Sequence, residues 1–206
     1  MKFKHNFTLT NQNLNQLNFK SEDTNIRLDF FNHFMRVAIF KDNQRILPTF
    51  SVCPGDTKMP LSGRDKLSTE GFEAIKPEVK LSEKEVSIIT EDAEIAIELF
   101  NFRMKVQNKN GVLYQDRDYL AYNFDNEYGN GSMHFISRED DEQIFGLGDK
   151  TGNVNKNHLC FKMATSDSMG FDARCSDPLT SRFHSTFVKI LQAVLECTTT
   201  HTPTAK

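Results

Sequence analysis

Apolar and polar residues alternate with a period of two through the middle of the chain. In "EDAEIAIELF", Ala93, Ile95, Ile97 and Leu99 share one face, while Glu94 and Glu98 take the other. A strand with one buried and one wet face requires that pattern. Phe102, Met104 and Val106 then alternate with Arg103, Lys105 and Gln107, so the parity has reversed. The reversal predicts a bulge or bend around Phe100 and Asn101, since one extra residue exchanges the two faces. "QNKNGVLY" follows, with an Asn-Gly turn signal between strand formers that predicts a hairpin.

The earlier part of the chain repeats the theme. Ile26, Leu28 and Phe30 are in step, then Met35, Val37 and Ile39 after an interruption, and "KLSEKEVSIIT" predicts a further strand. The Asn- and Gln-rich "TNQNLNQLN" reads as a loop or an edge. Short strands at regular spacing, without long helices between them, predict an all-β antiparallel sandwich. No internal repeat is present, and 206 residues suit one large β domain. Eighteen phenylalanines, with no tryptophan, are available to fill the space between two sheets.

Charge narrows the partners. A net charge of −3 on a mixed-sign chain offers no footprint for nucleic acid or for an anionic membrane. No apolar run approaches the roughly 20 residues of a membrane span, and "MKFKHNFTLTNQ" lacks the apolar stretch of a secretory signal. A soluble, cytoplasmic protein is expected. Cys53, Cys160, Cys175 and Cys197 have no paired short spacing and read as reduced structural thiols. Neither a metal nor a cofactor is called for.

The chemistry-bearing residues gather late in the chain. "FGLGDKTG" carries Gly146, Gly148 and Gly152, but no helical pattern follows, so the glycines read as backbone bends and not as a nucleotide loop. Asp140, Asp141 and Glu142 read as a solvated turn. Asp149, Asp167, Asp172 and Asp177 sit in loops, where both ligand contacts and Asx-turns are common. His134 and His158 have no metal-ligand spacing and read as surface or satisfied core residues.

Larger than any of these motifs is a resemblance. At Phe145 to Gly152, Asn155-Lys156, Asp167, Gly170-Phe171-Asp172 and Ser176-Asp177-Pro178-Leu179, the chain resembles the N-terminal domain of glycoside hydrolase family 31. That family of α-glucosidases and α-xylosidases reads close to "YGLGEKTG.LNK", "NTDAFGYD" and "SDPLYKHIPF" at these places. The resemblance covers roughly residues 1 to 179 and implies a galactose-mutarotase-like sandwich beside a (β/α)8 barrel. It implies that both catalytic aspartates lie on the barrel, and that the sandwich lends a loop to the pocket. Asp167 aligns with the family's loop aspartate and is the implied substrate-binding residue. An ionised carboxylate accepts two or more hydrogen bonds and suits vicinal sugar hydroxyls. The implied partner is an α-glucoside within a full enzyme, with self-association through the surface a barrel would cover.

After Leu179 the pattern departs from the family. Residues 180–206 read "TSRFHSTFVKILQAVLECTTTHTPTAK", with Phe187, Ile190, Leu191, Val194 and Leu195 at the spacing of a short helix. A shortened protein and a frame-shifted tail both account for the change. Three functions stay open: an α-glucosidase-type domain inactive alone, a stand-alone carbohydrate-binding module, and a mutarotase using His134 and Glu142. Tyr119, Tyr122 and Tyr128 are the clustered tyrosines a sugar platform would use.

Overall fold

The computed structural model describes residues 5–32, 34–50, 53–55, 58–124, 132–146 and 153–159. The strands follow the alternation of the sequence. β1 (Thr8–Asn13), β2 (Gln16–Ser21), β3 (Thr24–Phe30) and β4 (Met35–Lys41) form a four-stranded sheet in that order. β5 (Glu78–Leu81), β6 (Glu85–Ile89), β7 (Glu94–Glu98), β8 (Arg103–Asn108) and β9 (Gly111–Gln115) form a five-stranded sheet, again in sequence order. β10 (Tyr122–Phe124) and β11 (Ser132–His134) make a short pair. Every pairing is antiparallel, so the fold is the expected all-β sandwich. The described residues up to Arg138 form one compact unit and those from Glu139 a second. The expected helix in residues 180–206 and the domain boundary at 179 lie outside the described residues.

Register places the apolar residues. Leu17 pairs Leu28 and Phe19 pairs Ile26, while Val86 pairs Ile97 and Ile88 pairs Ile95. All eight are buried, together with Met104 and Val106. They are the inner faces of the two sheets, and the period of two put them there. The Asn- and Gln-rich start is an edge, since β1 is exposed along most of its length.

Local geometry sharpens three expectations. Of the bulge or bend expected near Phe100, the structure has the bend, as a hairpin: Glu98 pairs Arg103, and Leu99 to Phe102 make the turn. Partners such as Ile97 and Met104 differ in parity because an even number of residues separates them. Both still face the core. "KLSEKEVSIIT" holds two strands, because Ser82 turns the chain: its hydroxyl donates to the Glu85 carbonyl and accepts the Glu85 N–H. In the β8–β9 hairpin the two turn residues are Lys109 and Asn110, with Gly111 opening β9 at φ +124. The Asn108 side chain accepts the Asn110 N–H at 2.8 Å, an Asx-turn that sets the position.

The two sheets meet at Phe102, which is fully buried. Its ring lies 5.3 Å from Phe7, 5.2 Å from Phe19 on the first sheet and 6.3 Å from Tyr122 on β10. Its backbone takes φ +52, a left-handed value that disfavours a bulky side chain. That conformation costs about 1–2 kcal/mol, and full burial of a phenylalanine returns about 1.5–3 kcal/mol before ring–ring contacts. Burial wins, and the turn is held in a shape its residue type resists.

The outer face of the first sheet is also covered. Asp29, fully buried, accepts from Arg27 and Arg36 at 2.8 Å each and from the Gln16 amide at 2.8 Å. Arg36 donates onward to the carbonyls of Lys66, Leu67 and Ser68, which ties the connection between β4 and β5 over the strands. Burial lowers the Arg36 guanidinium from its ordinary pKa, and the Asp29 carboxylate pulls it back upward.

Replacing Phe102 by Ala removes a ring that leaves the β7–β8 turn of the second sheet and packs on Phe19 of the first. Unfolding in urea is expected to show a loss of about 3–5 kcal/mol. A loss below about 1 kcal/mol would show that the sheets are not fastened there.

Candidate functional site

The described part of the second unit is the base of the glycine-rich loop. Asn155 holds it, its side-chain oxygen accepting the N–H of Ile144 at 3.1 Å and of Asn157 at 3.0 Å. The Lys156 N–H donates to the Ile144 carbonyl at 2.7 Å, and the Asn157 amide donates to the Glu142 carbonyl at 2.7 Å. Residues 142–144 and 155–157 are therefore stitched side by side. Gly146 has φ +97, in the region where L side chains are strained, as its reading as a backbone bend requires. An added Cβ there meets no atom within 4 Å, so the dihedral and not crowding explains the glycine.

Asp167, the implied substrate-binding residue, lies outside the described residues, as do Asp149, Asp172, Asp177, Gly148, Gly152 and Tyr128. Asp140 and Asp141 are exposed at a turn, consistent with a solvated run. His158 is a surface residue at φ +59, and Cys53 is half-buried. Among the described residues no group of three His, Cys, Asp or Glu side chains could hold a metal.

His134 proves to be part of a polar cluster that pattern reading missed. Asp116 is fully buried where β9 ends. One carboxylate oxygen accepts the Met104 N–H at 2.7 Å. The other accepts the Tyr114 hydroxyl and lies 2.6 Å from His134 Nε2. His134 Nε2 is also 2.9 Å from the Tyr114 oxygen, and its ring stacks on Tyr122 at 4.1 Å and 7°. The cluster links β8, β9 and the β10–β11 pair through one carboxylate. Asp116 falls beyond the last alternating residue of its strand, so periodicity carries no signal for it. Asn123 was missed likewise; it is fully buried, and its amide has no partner among the described residues.

The Asp116 carboxylate only accepts, so His134 must keep its proton on Nε2 when neutral. Ring nitrogen chemical shifts in the folded chain are expected to report the Nε2–H tautomer. The Nδ1–H tautomer would contradict the cluster as described.

The first unit also carries an open cleft of about 470 Å³ at one end of the sheets. Its walls come from residues 6–8, 83–84 and 98–100. Phe100, 52% exposed, stands at its edge.

With the sandwich and loop base in view, the comparisons with known proteins agree. The model of the glycosyl hydrolase 31 N-terminal galactose mutarotase-like domain matches residues 7–181, and the chain belongs to that family. Among solved structures the chain is similar to the Flavobacterium johnsoniae GH31 dextranase FjDex31A, in a mutant complexed with isomaltotriose. The identity is 22% and the TM-score 0.64, covering 87% of this chain and 21% of that one. The same dextranase complexed with glucose gives 22% identity and a TM-score of 0.60, over 82% of this chain and 19% of that one. At such identity the likeness shows the fold. The chain spans about a fifth of the dextranase's length. No curated protein matches the chain in sequence.

Proposed function

We propose that this chain is the N-terminal sandwich of an α-glucosidase-type glycoside hydrolase, and that the segment around Asp167 reaches the substrate pocket. The observation that carries the reading is the family match over residues 7–181, which spans every motif from "FGLGDKTG" to "SDPL". The dextranase of similar fold, complexed with isomaltotriose, supports an α-linked glucose substrate class. Retaining hydrolysis needs two carboxyl groups about 5–5.5 Å apart across the glycosidic bond, one as nucleophile and one as acid. The two buried carboxylates of the described residues, Asp29 and Asp116, are committed elsewhere. Two arginines and an amide occupy Asp29; a backbone N–H, a phenol and an imidazole occupy Asp116. The sandwich is accordingly a positioning domain, and the bond-breaking groups belong to a barrel.

Two measurements test this. The purified chain is expected to leave a chromogenic α-glucoside intact, and turnover above the blank would contradict the reading. In an enzyme carrying this sandwich with its barrel, Asp167→Ala is expected to lower kcat/KM about tenfold or more, roughly one hydrogen-bonding group's worth, with little change in Tm. Unchanged kinetics would remove Asp167 from the pocket.

A further inference from the structure

We propose that the open cleft beside Phe100 is a binding site for a neutral oligosaccharide. Its volume of about 470 Å³ falls within the roughly 300–1,000 Å³ of small-ligand sites. Phe7 and Leu99 supply apolar wall, and Phe100 adds a half-exposed ring. The His5 imidazole braces that ring, stacked at 4.7 Å and 13°, and His5 is itself held by a 2.8 Å contact with the Asn101 side chain. A supported aromatic face suits the C–H face of a pyranose, which is apolar on one side and hydroxylated at its rim.

The polar groups of the cleft match those hydroxyls. Asn6 brings both a donor and an acceptor, Lys84 donors, and Glu83 and Glu98 acceptors. Glu98 is tied to Arg103 at 3.2 Å, so neither sign of charge dominates. That balance disfavours a phosphate or a strongly basic peptide and leaves a neutral polyol as the complementary ligand.

The walls are also fixed before any ligand arrives. The Asn6 N–H donates to the Phe100 carbonyl at 2.9 Å, the Phe7 N–H to the Leu99 carbonyl at 2.8 Å, and the Leu99 N–H to the Lys84 carbonyl at 2.8 Å. Three segments distant in sequence are thus bonded into one rim, and little ordering remains to oppose binding. Asn6 takes φ +58 to enter this arrangement.

The ligand class rests on the carbohydrate reading above, but the site does not depend on Asp167. The test is a titration of the 206-residue chain with isomaltotriose, followed by backbone amide NMR. Shifts are expected at Asn6, Lys84 and Phe100, saturating in the millimolar range, on the order of 1 mM. Phe100→Ala is expected to weaken binding about tenfold, which corresponds to loss of one ring contact. Phe100→Tyr, which keeps the ring face, is expected to bind as the parent does, and Asp167→Ala should leave the cleft shifts unchanged. Absence of shifts at these three amides at tens of millimolar sugar, on the order of ten times the expected constant, would overturn the proposal. So would shifts confined to the Asp167 segment, or binding unaltered in Phe100→Ala. Unchanged kinetics in Asp167→Ala of the full enzyme, with cleft binding intact, would count against the pocket reading alone.

Discussion

The sandwich depends on one side chain placed where two sheets and a hairpin converge. Phe102 leaves the β7–β8 turn with a strained backbone, and its buried ring touches Phe7, Phe19 and Tyr122. Because the strain is local and the contacts come from distant segments, the turn keeps its shape only while the core exists. The same turn offers its Leu99 and Phe100 carbonyls to the N–H groups of Phe7 and Asn6. The start of the chain is thereby fastened to the second sheet before it enters β1 on the first. Packing and hydrogen bonding act at one place, and the cleft beside Phe100 is a consequence of that junction.

Around the apolar centre, buried carboxylates organise what alternation leaves loose. Asp29 sits on the outer face of β3, where water would normally meet it, and the β4–β5 connection lies over it through Arg36. Asp116 does for the β10–β11 pair what strand pairing alone could not, since that pair has only three residues on each side. Burial of a charge is tolerable only when several donors surround it. Both aspartates meet that condition, which places them in the architecture and outside the chemistry.

How much of this was legible in the sequence varied with the kind of information. Ile95, Ile97, Met104 and Val106 could be assigned to a buried face because period two is written in single residues. At Phe100 the sequence leaves a bulge and a bend open: a reversal of parity is the signature of either, and only the pairing partner, Glu98 with Arg103, identifies the hairpin. Asp29 and Asp116 look like ordinary polar positions, since their burial is created by segments far away in sequence. The loop motifs from Phe145 to Leu179 identified the family at once through resemblance. Their physical pattern alone suggested no more than turns, and the described structure adds the Asn155 and Asn157 stitches at the loop's base.

The proposed role builds on this division of labour: Asp29 and Asp116, the buried carboxylates of the described residues, are saturated by their own partners. Such a role requires that both sheets behave as one body, fastened at the Phe102 junction. Native-state amide hydrogen exchange measures this most directly. The account predicts that the slowest amides of β2 and β3 and those of β7 and β8 open together, with one common free energy. Separate opening of the two sheets, at clearly different free energies, would contradict it.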